Sequence, residues 1–204
     1  RRWVVSDKKI LELEKATKQA ELQQLKKQIN PHFLFNMLNN ANILVKDAPD
    51  EASQILEKLD NLLRYQLNDS TRREVFLTAD IQFLTSFLEL EKVRRDHFEY
   101  TIFQEGNMEN ICIPPLLFIP FVENAVKHNL DSDNLSYVHL YFSVHNKQLT
   151  FRCENSKPRV PVKREGGIGL ANVKRRLDLL YESRYTLQIE DKETTYNVNL
   201  HLNL

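Results

Sequence analysis

The sequence predicts an α+β fold: an N-terminal helical hairpin, able to form a four-helix bundle with a second copy, then helices on one face of an antiparallel or mixed sheet. Three observations carry this. Apolar residues recur at helical spacing through about the first 75 positions. Alternating, strand-like segments begin only at Phe98. The later segments come in pairs across short polar connections, as antiparallel hairpins do.

From Ser6 to about Lys46 the chain reads as one long helix, capped by Ser6 or Asp7 and rich in good helix formers. Leu11, Lys15, Lys18, Leu22, Leu25, Ile29, His32 and Asn36 step by four and three, a coiled-coil seam interrupted by its two lysines. Pro31 removes a backbone donor and predicts a bend beside His32. A second helix, about Asp50 to Asn68, puts Ile55, Leu56, Leu59, Leu62, Leu63 and Leu67 on one face. That face, with Leu22, Leu25 and Ile29, is the expected dimer contact. A third helix, about Thr78 to Arg95, carries Ile81, Leu84, Phe87, Leu88, Leu90 and Glu91.

Beyond it Phe98–Phe103 alternates like a strand, and Pro114-Pro115 predicts the start of an apolar helix ending near Asn129. Tyr137–His145 and Gln148–Glu154 flank Asn146-Lys147, a tight turn. Ser156 to Gly167 has no periodicity and reads as a mobile loop, and Ile168 to Tyr181 as a helix. Tyr185–Glu190 and Thr195–Leu202 close the fold as a hairpin about Asp191-Lys192-Glu193. The domain boundary belongs near Arg72–Thr78, dividing the chain into 1–75 and 76–204.

Charge is balanced, 28 basic against 28 acidic residues, so no basic surplus argues for nucleic acid. Cys112 and Cys153 sit among apolar residues without CxxC spacing and read as buried thiols. No apolar run spans a bilayer. Arg1-Arg2-Trp3 has the look of the flank of an upstream membrane helix, although an arbitrary start reads the same way.

Three stretches carry chemistry. In Gln28-Ile29-Asn30-Pro31-His32-Phe33-Leu34-Phe35-Asn36, a neutral imidazole is nucleophilic near pH 7, with Asn36 one turn away to orient it. A seam histidine bonded to a carbonyl fits the same stretch. In Glu123-Asn124-Ala125-Val126-Lys127-His128, Asn124 offers an amide oxygen suited to Mg²⁺, and Lys127 and His128 offer charge to phosphate. A polar helix face toward solvent is the plainer reading. In Gly166-Gly167-Ile168-Gly169-Leu170, glycines running into a helix N-terminus form a phosphate cradle, or an ordinary glycine loop. Of Arg175 and Arg176 on that helix, one reads as a solvated face residue.

Asn30–Asn36, Leu88-Glu89-Leu90-Glu91-Lys92-Val93-Arg94, Glu123–His128 and Gly167-Ile168-Gly169-Leu170-Ala171-Asn172-Val173-Lys174-Arg175-Arg176-Leu177 resemble the successive boxes of LytS-type sensor histidine kinases. These are two-component proteins whose catalytic domain has the GHKL fold shared with gyrase. The likeness runs from about Gln28 to Leu204. It implies a dimerisation and phosphoacceptor domain at 1–75 and an ATP-binding domain at 76–204. It implies His32 as phosphoacceptor, ATP and Mg²⁺ as cofactors, and Asn124 as the Mg²⁺–ATP ligand, with residues 156–167 as a lid. Lys127, His128, Asn155, Gly167, Gly169, Leu170, Asn172 and Arg176 complete the expected nucleotide set. The resemblance also implies a homodimer, a response regulator aspartate as recipient, and an upstream transmembrane sensor. The chain would then be the cytoplasmic portion of a bacterial inner-membrane protein.

Three positions depart from related patterns. Asn155-Ser156-Lys157 stands where the superfold has Asp-Asn-Gly, replacing a charged adenine acceptor by a neutral amide. Pro120 stands where hydrolytic members place a glutamate, which disfavours a free-standing ATPase. Phe33 stands where many histidine kinases have an acidic residue after the phosphoacceptor. The Asn155 substitution raises the alternative of a degenerate dimerisation and signalling module.

Overall fold

The computed structural model describes residues 31–95, 97–129, 135–158 and 168–204. In chain order the helices are α1 (Pro31–Asp47), α2 (Pro49–Leu67), α3 (Leu77–Val93), α4 (Ile119–His128) and α5 (Ile168–Tyr181), with a short 3₁₀ turn at Asp69–Thr71. The strands are β1 (Val75–Phe76), β2 (Phe98–Glu105), β3 (Cys112–Ile113), β4 (Ser136–His145), β5 (Gln148–Ser156), β6 (Tyr185–Asp191) and β7 (Thr195–Asn203). The expected seam positions Leu11 to Ile29 lie outside the described residues, and the bend expected beside His32 falls at their edge.

α1 and α2 form the expected hairpin through a tighter connection than the sequence suggests. Only Ala48 separates them, because Pro49 can open α2 where its missing N–H costs nothing. The leucine face of α2 divides in two. Ile55, Leu59 and Leu62 are buried within the chain, together with Ala52 and Tyr65. Leu56 and Leu67 point outward and are exposed. The expected dimer face at Ile55–Leu67 is therefore corrected: half of it is intramolecular core, since a stripe wider than about 100° on a helix can serve two neighbours.

The sheet is mixed, in the order β2-β4-β5-β7-β6. β2 lies parallel to β4, with Phe98 opposite Ser136, and every other pair is antiparallel. The β4–β5 hairpin turns at Asn146 (φ 49°) and Lys147 (φ 65°), both left-handed as a two-residue type I′ turn requires. At the end of β2, Gly106 adopts φ 88°, and a Cβ there would lie 2.3 Å from the Val144 carbonyl oxygen. Only glycine fits that approach.

On the inner face Val138, Leu140, Phe142, Leu149, Phe151, Cys153, Val198, Leu200 and Leu202 are buried beneath the helices. Phe118 packs edge-on to Phe142 at 5.2 Å and against Phe151 at 4.5 Å. The core is continuous from Phe33 and Met37 in α1 to Leu202 in β7, across the boundary expected near residue 75. Phe33 and Phe87, on α1 and α3, have ring centroids 5.0 Å apart.

Two further corrections concern the middle of the chain. Pro114-Pro115 do not begin the apolar helix: α4 starts at Ile119, after a turn in which Leu116 has φ 56°. A small antiparallel ladder, β1 with β3, accompanies that turn and holds Cys112 opposite Phe76. Cys112 is exposed there, whereas Cys153 is buried as expected, its thiol pushed up to about 12 by burial.

Candidate active site

The site is built around α4, a ten-residue helix rich in apolar side chains, which packs on β5, α3 and α5. Ile119, Phe121, Val122, Ala125 and Val126 turn inward. Asn124 and His128 are left half-buried and Lys127 exposed. The i, i+3, i+4 spacing of these three puts them on one side of the helix.

Both ends of α4 are held by polar groups, buried Asp80 of α3 at one and part-buried Arg95, just past α3, at the other. At the start, Asp80 Oδ1 accepts the backbone N–H of Leu116 at 3.0 Å. At the end, Arg95 donates through Nη1 to Asn129 Oδ1 at 2.8 Å and through Nη2 to the Val126 carbonyl at 2.7 Å. Arg94 and Arg95 both pair with buried Glu91, at 2.6 and 3.3 Å. Asn129 caps the helix and donates from Nδ2 to the Tyr137 carbonyl at 3.1 Å. The Tyr137 N–H in turn donates to Ser156 Oγ at 3.0 Å. This chain of bonds seats the end of α4 beside the end of β5.

Asn155 stands at that end. By strand alternation it continues the inward row Leu149, Phe151, Cys153, and it is 1 % exposed. Its Nδ2 donates to the Ser156 carbonyl at 2.8 Å, leaving Oδ1 as its acceptor. Gly167 lies outside the described residues. Gly169 belongs to the first turn of α5, Leu170 packs half-buried against the core, and Asn172 is half-buried one turn from the helix start.

Arg176 takes a different place from the one expected. It is 4 % exposed and donates from Nη1 to the Leu116 carbonyl at 2.5 Å and from Nη2 to the Pro115 carbonyl. Its fork is committed to backbone rather than turned toward a nucleotide, while Arg175 is the exposed member of the pair. Arg176 fastens α5 to the turn ahead of α4.

His32 belongs to the first turn of α1, with its side chain outside what is described, and Asn36 is half-buried one turn on. Phe33, the next residue, lines a small cavity with Gln66, Phe87 and Glu123. Glu123 reaches the junction of hairpin and α4. Burial, reinforced by the charge of Glu91, pushes its carboxyl up to about 7.

Sequence reasoning missed Asp80, Arg95 and Asn129. Asp80 stands in the first turn of α3, where the helix dipole alone accounts for an acid. Glu91 did leave a signal, a carboxylate on an otherwise apolar helix stripe, which points to a buried ionic partner.

Residues 20–98 match the family model described as histidine kinase. The chain is 30% identical over 203 residues to the sensor protein LytS of Staphylococcus haemolyticus, an alignment covering 92% of this chain and 35% of that protein. It is 32% identical over 119 residues to the sensor histidine kinase YpdA of Escherichia coli, covering 58% and 21%. The sensor histidine kinase/phosphatase LytS of Staphylococcus aureus is 33% identical over 115 residues, covering 56% and 20%. The chain thus spans about a third of the length of the first relative and about a fifth of the others. The histidine kinase domain of a blue-light activated kinase from Erythrobacter litoralis shares the fold at a TM-score of 0.50 and 17% identity, over 93% of each chain. No described helix is long and apolar enough to cross a membrane. By its ordered boxes and its match over most of its length to LytS, the chain is a homologue of the LytS-type sensor histidine kinases.

Proposed function

We propose that the chain transfers the γ-phosphoryl group of ATP to His32 and passes it on to an aspartate of a response regulator. The observation that carries this reading is the seating of α4. The helix that carries Asn124 packs on β5, the strand that ends at Asn155 and Ser156, and on α5, while α3 and α4 share one core with Phe33, the neighbour of His32. That shared packing supports a reading in which nucleotide elements and phosphoacceptor helix work at one junction.

The imidazole donates its electron pair to the γ-phosphorus as the bond to the β–γ bridging oxygen breaks, and ADP leaves with that pair. Such a transfer depends on alignment and charge neutralisation more than on acid–base work. Lys127 and His128 would neutralise phosphate charge. Asn155 Oδ1 would accept from the adenine amine. Leu170 and the backbone of Gly169 sit at a helix N-terminus, whose free N–H groups suit phosphate. The donor set at Asn124, one half-buried amide oxygen, fits a Mg²⁺ ion that draws its other ligands from water and phosphate. When bound, that ion supplies charge neutralisation across the phosphates.

A homodimer is supported by apolar side chains left outside on the hairpin: Phe35 at 70 % exposure, Leu38, Leu56 and Leu67. A second hairpin of the same kind would cover them as a four-helix bundle.

Incubation with γ-labelled ATP and Mg²⁺, beside His32→Gln, tests the reading. Acid-labile label on the unsubstituted chain alone is the expected result. The second reading, a degenerate signalling module, is favoured by the neutral Asn155, and failure to bind Mg–ATP at millimolar concentration would select it.

A further inference from the structure

We propose that Tyr65, Asp80 and Arg176 are positioning residues for phosphoryl transfer: they fix the Pro115–Leu116 turn, and through it the Asn124 helix, at a setting that depends on where the hairpin sits. This deepens the kinase reading and rests on it. The turn runs directly into α4, where Phe121 and Val122 donate their N–H groups to the Phe118 carbonyl at 3.0 and 3.3 Å. Within it Leu116 is left-handed, at φ 56°, a conformation a leucine keeps only when its surroundings impose it.

The surroundings that impose it come from three other helices. Asp80 on α3 takes the Leu116 N–H at 3.0 Å and also faces the Phe118 N–H. Arg176 on α5 takes both preceding carbonyls, Leu116 at 2.5 Å and Pro115. Tyr65 on α2 donates its hydroxyl to Asp80 Oδ1 at 2.5 Å. The same oxygen therefore serves the hairpin and the turn. Asp80 is fully buried, so no water shares the load, and movement of α2 relative to α3 must be felt at Leu116.

As a device for stability the arrangement is inefficient. Asp80 Oδ2 and Arg176 Nε are buried with no hydrogen-bond partner, and Asp80 and Arg176 do not form a direct ion pair. Packed apolar side chains would stabilise as well or better. What directional bonds give instead is one defined geometry. It matters here because a displacement of about 1 Å at a reacting centre costs on the order of a hundredfold in rate.

The test uses the 204-residue chain, below the unfolding temperature of the least stable variant, and measures two quantities. These are the Mg–ATP dissociation constant and the autophosphorylation rate at saturating ATP. Tyr65→Phe keeps the ring and removes only the bond to Asp80. It is expected to lower the rate about tenfold while the dissociation constant stays within about threefold. Arg176→Lys cannot bridge two carbonyls and is expected to weaken Mg–ATP binding about tenfold, since it frees α5 from the turn. It also supplies the second arm should Tyr65→Phe fold poorly. Wild-type rate and affinity in both variants, with only a lowered Tm, would overturn the proposal and leave the kinase reading standing. An unsubstituted chain that neither binds Mg–ATP nor takes up label would overturn both.

Discussion

The helical hairpin and the region around α4 are held by different physics. The hairpin meets the rest of the chain mainly through apolar contact: Met37, Ala41, Ile55, Leu59 and Leu62 are buried, while Phe35, Ile43 and Leu67 stand outside. Apolar burial is strong but non-directional, so it tolerates sliding and re-seating. α4 is pinned at both ends by buried or part-buried charged or amide groups, Asp80 and Arg176 at one, Arg95 and Asn129 at the other. Such bonds tolerate little displacement. On the proposed function, a phosphoacceptor that approaches a nucleotide and later a second protein suits the first kind of attachment. A helix that carries the proposed Mg²⁺ ligand suits the second.

The largest predicted effect breaks the polar side of this contrast. Arg176→Ala strands the Pro115 and Leu116 carbonyls and removes the cation that faces buried Asp80, for an expected loss of about 3–5 kcal/mol in urea unfolding. A loss under about 1 kcal/mol would mean that water replaces the guanidinium and that the N-terminal pin of α4 is dispensable.

Next comes the apolar side, where α2 offers an internal control. Leu59→Ala should cost about 2–4 kcal/mol, because its side chain is 3 % exposed in the core. Leu56→Glu, a residue 46 % exposed, should leave the unfolding free energy of the isolated chain within about 0.5 kcal/mol. Paired with Leu67→Glu it should convert dimer to monomer by light scattering. A dimer that survives both charges is held by some other surface.

Burial of Asp80 predicts a pH signature. Desolvation raises its carboxyl to about 6, against the bonds from Tyr65 and Leu116 and the charge of Arg176, which lower it. With the folded value above the unfolded one, its contribution to stability is complete below the unfolded pKa and is lost as pH rises through about 6. Asp80→Asn cannot ionise. Relative to the parent it should gain on the order of 2 kcal/mol between pH 4.5 and 7.5. Parallel curves for the two proteins would place the charge of Asp80 in contact with solvent.

The same contrast explains what the sequence could reveal. Periodicity reports which face of an element is apolar, so the hairpin, the five sheet strands and the helices α3 and α5 were legible. The Asn146-Lys147 turn was legible from its residue types. Periodicity does not report which of two neighbours covers an apolar face, which is why Ile55 and Leu56 were read together although one is core and the other surface. It also cannot anticipate a bond between residues far apart in the chain. Pro114-Pro115 carries a helix-start signature, yet Asp80 and Arg176, 36 and 60 positions from Leu116, satisfy that backbone without a helix and delay α4 to Ile119. Asn124 and Asn155 could be proposed from the sequence because their chemistry is local to a motif. Arg176 was misassigned because its position in a motif says nothing of which way its side chain runs.

The smallest effect sharpens the contrast most. Lys58 on α2 and Glu89 on α3 pair at 2.8 Å, a charged link from the hairpin to the region that pins α4. The side chains are 30% and 33% exposed, so solvent and salt screen the attraction, and ordering two long side chains costs entropy. A double-mutant cycle with Lys58→Ala and Glu89→Ala should return a coupling below about 1 kcal/mol that fades in 1 M salt. Tyr65 and Asp80 join the same two helices by a buried bond, which salt does not reach. If the Lys58–Glu89 coupling instead exceeds about 1 kcal/mol and persists in salt, charge at the surface locates the hairpin, and the apolar seat described above is less free than its composition suggests.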